Sequence, residues 1–347
     1  MRVLTGTVAT ALILVAAGAR AQEPFTVAGV TAAPGTLASG AIPVAARPGD
    51  SGTTIPISIV HGRAPGPVLA LIAGTHGMEY IPILGLQRLR EMLDPVTVRG
   101  TVIMVHVANM PSFLGRTIYY SPADGKNLNR VYPGKADGTL SERIAHAITT
   151  QVIDRATHVV DLHCGDGNES LRPYTYWITT GDPKVAEEGR TMALAFGLPH
   201  IVVDDARPTD PAASLYTSNT AITRGRPAIT TETGALAQVD EASIRLMLDG
   251  VAGLLRHLKM QEEGPAPVNA PVMLTRNEVL RAGATGLFYP AVERGHTVSK
   301  GGLIGRITDF HGRTLEEIRA PFDGEILYVI GTPPMTAGEP VGMIAAR

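Results

Sequence analysis

Five short runs of aliphatic and β-branched residues, each bounded by turn residues, alternate with segments whose apolar residues recur at helical spacing. This alternation constrains the fold more than any other feature of the chain. The runs at 66–74, 101–108, 158–162, 200–204 and 227–231 read as buried strands. Between them, Thr139-x-x-Glu142 forms a capping-box pattern ahead of Leu140, Ile144, Ile148 and Val152 at helical spacing. A second helix is predicted over 183–196. A third covers 241–259, where Ile244, Met247, Leu248, Val251, Leu254, Leu255 and Leu258 make one apolar stripe. The pattern predicts an α/β fold, a mostly parallel sheet covered by helices. At 347 residues and 44% hydrophobic, the chain is long enough for two domains, or for one large domain with an appendage.

The two ends of the chain depart from this pattern. Met1-Arg2, an apolar run from Val3 to Gly18 and Ala19-Arg20-Ala21 read together as a signal peptide over 1–21. A membrane anchor is the competing reading, but the run falls short of the roughly 20 residues a span needs and leads into a cleavage signal. The expectation is an exported protein, periplasmic or secreted, that begins at Gln22, holds no stable membrane insertion and leaves a homo-oligomer open. Its single cysteine, Cys164, excludes an internal disulfide. Residues 22–260 form the expected main domain, and 261–271 (QEEGPAPVNAP) a linker.

From 272 to 347 the helical stripes stop, and short strands separated by glycine turns predict a small all-β unit. The spaced glycines and the stretch Ala320-Pro321-x-x-Gly324-x-Ile326 resemble the lipoyl/biotinyl type of barrel-sandwich. Asp323-Gly324-Glu325 stands at the turn where such domains carry a modified lysine, so the unit reads as structural or access-controlling. With 30 Lys+Arg against 32 Asp+Glu and no basic run, nucleic acid is excluded as the main partner.

The candidate chemistry sits at predicted strand ends. His76 and Glu79, in Gly74-Thr75-His76-Gly77-Met78-Glu79, follow the first strand and can reach one metal ion. Imidazole with carboxylate suits zinc, which in catalytic sites takes three protein ligands. His163, ending the third strand in Asp161-Leu162-His163, supplies a third ligand, with Asp161 placed to orient a ligand histidine from behind. Asn109 ends the second strand and Glu232 the fifth. In open α/β sheets ligands bind at the carboxyl ends of strands, so these residues converge if the strand reading holds. Glu232 has no cationic neighbour in sequence and suits a general base. Taken singly, His163 could be a hydrogen-bonded core histidine and Glu232 a surface carboxylate.

Four segments together, Gly74–Glu79, Asn127-Leu128-Asn129-Arg130-Val131-Tyr132-Pro133-Gly134, Asp161–His163 and Glu232-Thr233-Gly234, resemble the succinylglutamate desuccinylase/aspartoacylase family of zinc carboxypeptidase-like deacylases. The longer stretch Arg116…Ser121-Pro122-x-Asp124-Gly125-x-Asn127-Leu128-Asn129-Arg130 is more similar to the diaminobutyrate-deacetylase-like branch. The resemblance covers residues of about 25–345. It implies one Zn2+ per chain on His76, Glu79 and His163, with Glu232 as general base and later proton donor to the leaving amine. It implies Arg130 and Arg116 on the substrate carboxylate or scissile carbonyl, and Asn129 on a polar substrate group. The implied reaction is hydrolysis of the amide bond of an N-acyl amino acid or similar small acylated amine. A metallocarboxypeptidase acting on peptides or cell-wall fragments, and an exported binding protein using the same cleft without turnover, are the alternatives.

The remaining residues carry less. Cys164 neighbours His163 on a strand, so the two side chains point to opposite faces and the thiol reads as buried and inert. Arg172, Tyr174, Tyr176 and Trp177 alternate as an ordinary half-buried strand does, with pocket lining as the other reading. His106, His146, His158 and His200 read as structural, and His296 and His311 carry no motif. No G-x-S-x-G elbow, H-E-x-x-H, Walker loop or G-x-G-x-x-G is present.

Overall fold

The computed structural model describes residues 22–262, 264 and 270–347. The signal-peptide segment 1–21, and residues 263 and 265–269 of the expected linker, lie outside the described residues. A nine-stranded mixed sheet runs through the main domain. Its order is Val272–Leu274, His200–Asp204, Tyr174–Ile178, Ala228–Glu232, His158–His163, Ala64–Ala73, Arg99–Val105, Thr53–His61 and Thr36–Val44. The four strands from Ala228–Glu232 to Arg99–Val105 are parallel throughout. Tyr174–Ile178 runs antiparallel to Ala228–Glu232, and the N-terminal hairpin joins Arg99–Val105 antiparallel on the other side.

Strand alternation decides which residues face which helices. Leu69, Leu71, Val160 and Leu162 lie on the face covered by helices Tyr80–Met92, Pro183–Phe196 and Glu241–His257. Ala70, Ile72, Ile103 and Val159 lie on the face covered by helix Leu140–Gln151, through Ile144 and Ile148. Glu142 caps that helix: its carboxylate accepts a hydrogen bond from the Thr139 N–H at 2.8 Å. Both faces are therefore buried, as parallel sheets require.

Two glycines in the apolar stripe of Glu241–His257 let it approach Pro183–Phe196. A Cβ on Gly253 would lie 2.4 Å from the Ala195 carbonyl oxygen, and one on Gly250 2.3 Å from the Phe196 ring. Gly253→Ala is therefore expected to destabilise the fold by about 1–3 kcal/mol through overpacking against fixed backbone, despite alanine's better helix propensity. Urea unfolding with an unchanged or raised midpoint would contradict this.

The C-terminal unit comprises two antiparallel sheets around Phe288, Ile304, Ile307, Leu327, Val341 and Ile344. One contains Arg276–Arg281, Pro340–Ala346, Gly324–Ile330 and Thr297–Val298; the other contains Thr314–Arg319, Leu303–Thr308, Gly286–Pro290 and Pro334–Met335. The unit is stitched to the main domain by strand exchange. Val272–Leu274, the first strand after the linker, pairs with His200–Asp204 in the large sheet, and Glu169–Leu171 pairs with Gly324–Ile330 in the C-terminal one. Among the described residues no helix is long and apolar enough to cross a membrane.

Candidate active site

The strand Ala64–Ala73 ends at Gly74, whose φ of +69° turns the chain sharply and delivers His76 and Glu79 just before helix Tyr80–Met92. Asn109 braces this turn: its side chain donates to the Thr75 carbonyl at 3.3 Å and accepts from the Ser112 N–H at 3.3 Å. Register supplies the other side chains. His163, Glu232 and Tyr174 are paired neighbours across three adjacent strands, and Asp161, Thr230 and Tyr176 form the row two residues back. Side chains opposite one another in register share a face, so the two rows present six side chains to one side of the sheet. Cys164 points the other way, into the core behind the sheet.

His76, Glu79 and His163 are buried, and one ligand atom from each lies within 4.8 Å of the others. Both imidazoles direct Nδ1 at Glu79: His76 Nδ1 is 2.7 Å from Oε1, and His163 Nδ1 is 2.9 Å from Oε2. The outer nitrogens are held from behind. His76 Nε2 is 3.2 Å from Asn127 Oδ1; His163 Nε2 is 3.3 Å from Asn129 Nδ2 and 3.0 Å from Asp161 Oδ1, the latter not aligned as a hydrogen bond.

Burial alone would raise the Glu79 carboxyl, but the two imidazoles outweigh it and hold the group down at about 2. Burial likewise opposes the charge on His163, yet Asp161 and Glu79 together lift the imidazole well above its usual range. Glu232 is driven the other way. Burial raises its carboxyl well above the ordinary carboxylate range, His163 pulls it down, and Glu79, Glu169 and Asp161 raise it further. Asp166, buried beside Glu79, is pushed up to about 7. A buried carboxylate gripped by two imidazoles, among further buried acids, is a donor set that fits a divalent cation.

His76, Glu79, His163 and Glu232 form the floor of a cavity of about 550 Å³. Asn129, Arg130, Tyr119, Glu169, Tyr174, Tyr176, Arg207 and Tyr216 line its walls, and the C-terminal unit contributes Val279, Arg281, Tyr328 and Pro340. Arg130 and Arg207 both stack on Tyr216, at 4.6 and 3.9 Å from the ring centroid. Arg207 is ion-paired with Asp204, whereas among the described residues Arg130 and Arg281 have no carboxylate partner.

The sequence expectations therefore meet in one place, with one exception. His76, Glu79, Asn129, Arg130, His163 and Glu232 line the cavity, and Asp161 stands directly behind His163. Arg116 does not join them. The short helix Met110–Gly115 ends in front of it, and Arg116 takes a left-handed turn with φ +51° at an exposed position outside the cavity lining. Two other arginines, Arg207 and Arg281, line the cavity, and no local pattern singles them out. Tyr174 and Tyr176 line the cavity, while Trp177, on the opposite face of the same strand, donates to the Ala186 carbonyl at 2.8 Å. Arg172 pairs with Glu325 of the C-terminal unit, away from the cavity.

Comparison with known proteins adds to this geometry. The succinylglutamate desuccinylase/aspartoacylase catalytic-domain family matches residues 65–258. The chain belongs to that family. It is 30% identical over 299 residues to the N-alpha-acetyl-L-2,4-diaminobutyric acid deacetylase of Halomonas elongata, covering 84% of this chain and 85% of the relative. Among solved structures it is similar to a succinylglutamate desuccinylase/aspartoacylase from Rhodobacter sphaeroides (TM-score 0.77, 26% identity, 89% of this chain and 95% of that one). It is also similar to a product-bound ectoine utilization protein from Ruegeria pomeroyi (TM-score 0.79, 25% identity, 90% and 95%). These family members share the mixed, mostly parallel sheet and the C-terminal β unit, so the family fold expected from the four segments is the fold observed.

Proposed function

We propose that this protein is a zinc-dependent deacylase that hydrolyses the amide bond of a small N-acyl amino acid. The observation that carries the reading is the convergence of His76, Glu79 and His163 with Glu232 on the floor of one cavity whose wall bears Arg130. The named activity of the Halomonas elongata relative supports it. Zinc held by the two Nδ1 atoms and the Glu79 carboxylate would supply a Lewis acid and make water at the site more acidic. Glu232 takes a proton from the attacking water and returns it to the leaving amine. Asn129, whose Oδ1 accepts from the Thr217 N–H at 2.9 Å, lines the cavity beside His163 and is assigned to a polar substrate group. The C-terminal unit closes part of the cavity, which favours small substrates over peptides.

Arg130 is assigned to the substrate carboxylate, for which a planar guanidinium with no carboxylate partner among the described residues is suited; one of its nitrogens donates to the Asn129 carbonyl at 2.6 Å. Arg130→Ala is expected to raise KM about 10–100-fold with a smaller change in kcat, since a charged hydrogen-bonded pair contributes to ground-state binding. An unchanged KM would remove Arg130 from that role. The function as a whole is tested by metal analysis of the chain from Gln22 and by a screen of N-acyl amino acids with added zinc. Absence of both metal uptake and turnover would favour the binding-protein alternative. We further propose export with cleavage after Ala21; intact-mass analysis of secreted or periplasmic protein that still carries residues 1–21 would contradict it.

A further inference from the structure

Asp124 stands outside the cavity lining, yet the loop around it carries Lys126, Asn127, Asn129 and Arg130, all of which line the cavity. Main-chain bonds close this loop on itself. The Ser121 N–H donates to the Lys126 carbonyl at 2.9 Å, and the Gly125 N–H to the Ser121 carbonyl at 2.8 Å. Asp124 fastens the closed loop to the start of helix Leu140–Gln151. Its Oδ2 accepts from the Ser141 N–H and its Oδ1 from the Ser141 hydroxyl, both at 2.8 Å. Oδ1 also accepts from the Lys126 N–H at 3.2 Å. The Ser141 N–H is one of the first-turn donors that a helix leaves without an internal acceptor, and Ser141 is fully buried. Charge favours the same arrangement, because partial positive charge collects at a helix N-terminus.

A second contact clamps the loop to the same helical turn. Lys126 Nζ lies 3.1 Å from Glu142 Oε1. The loop therefore offers an anion and a cation to a turn that offers donors for the first and a carboxylate for the second. The turn is a firm backing, since Leu140, Ile144 and Ile148 of the helix are buried against the central sheet.

The far end of the loop meets the site. Asn127 Oδ1 accepts from the Asn129 N–H at 2.8 Å and lies 3.2 Å from His76 Nε2. The Arg130 guanidinium donates to the Asn129 carbonyl at 2.6 Å and stacks on Tyr216, and no carboxylate among the described residues holds it. Its place in the cavity thus follows the main chain of this loop.

We infer that Asp124, acting through Ser141, is a positioning residue that sets Arg130 against the substrate carboxylate and Asn127 behind His76, while touching neither substrate nor metal. The inference rests on the proposed deacylase reading for what Arg130 binds.

Asp124→Asn keeps the size of the side chain but turns one acceptor into a donor that faces Ser141. Steady-state kinetics use the N-acyl amino acid that the zinc-supplemented screen finds to be turned over fastest. Asp124→Asn is expected to raise KM about tenfold and to leave kcat within about threefold, the scale of one or two lost hydrogen bonds acting on binding. In an Arg130→Ala background the same substitution is expected to change KM by less than about twofold, because the two residues act through one contact. Ser141→Ala removes only the hydroxyl bond and is expected to raise KM about threefold; it carries the comparison should Asp124→Asn fail to fold. An unchanged KM in Asp124→Asn overturns the inference. So does a full tenfold rise in the Arg130→Ala background, which would mark a general loss of structure. A second readout needs no turnover: zinc affinity by chelator competition is expected to fall at least about threefold in Asp124→Asn, as support behind His76 loosens. If no N-acyl amino acid is turned over, the deacylase reading fails and zinc affinity alone decides the anchor. A fall supports it, and an unchanged affinity overturns it.

Discussion

Glu232→Gln is expected to lower kcat by about 10²–10⁴-fold, the range in which a positioned acid–base group acts, while metal content and the unfolding midpoint stay close to those of the unmodified chain. The argument for a clean loss is electrostatic. In the metal-free chain, burial and the neighbouring acids hold the Glu232 carboxyl well above the ordinary range, so the neutral form is the one this pocket accommodates. Glutamine has the same shape and is also neutral, and Oε2 of Glu232 makes no hydrogen bond that the substitution would break. What glutamine cannot do is take a proton from water and return it to an amine. Steady-state kinetics on an N-acyl amino acid, with metal analysis of the same preparation, separates the outcomes. A kcat within about threefold of the unmodified chain would exclude Glu232 as the base, because general-base losses are far larger.

The parts of the site legible in the sequence are those that local pattern determines. His163 and Glu232 were placed by strand ends, and the observed strands His158–His163 and Ala228–Glu232 differ from the expected 158–162 and 227–231 by single residues. Their parity put Asp161 and His163 on one face and Cys164 on the other, as observed. Three features were not legible. Helix Tyr80–Met92 carries Pro82 and Gly85, which break the helical signal although both are buried. The hairpin Thr36–Val44 and Thr53–His61 carries polar and exposed positions, as a strand pair at the sheet margin does, and gives no continuous apolar run. Glu169, Arg281 and Tyr328 reach the cavity because Glu169–Leu171 joins the C-terminal sheet and that unit lines part of the site, while Arg207 reaches it from the loop after His200–Asp204, paired with Asp204 and stacked on Tyr216. Such long-range pairing has no signature at the residues themselves. Arg116 is the converse case: it is close to the motif in sequence, but it sits in a left-handed turn at an exposed position that does not line the cavity.

His163→Ala is expected to reduce bound zinc from about one per chain to almost none and to abolish turnover, since catalytic zinc sites use three protein ligands and this substitution leaves two. The metal-free geometry adds a sign for pH. Asp161 and Glu79 hold the His163 imidazole protonated well above its usual range, and a cation must displace that proton to reach Nδ1. Zinc affinity is therefore expected to keep rising with pH through and beyond about 6.5, where an unperturbed histidine would level off, and to fall steadily as pH drops. Asp161→Asn separates the two contributions of the carboxylate behind the ring. It removes the charge that favours the proton, which by itself strengthens zinc binding at low pH. It also replaces the charged acceptor near Nε2 by a neutral amide, and weakening of such support typically lowers metal affinity about 10–100-fold. If orientation dominates, Asp161→Asn binds zinc more weakly at every pH. If charge dominates, it does so only above the range where His163 has lost its proton. Competition titrations with a chromogenic chelator across the pH range read both effects, and full zinc content in His163→Ala would remove His163 from the ligand set.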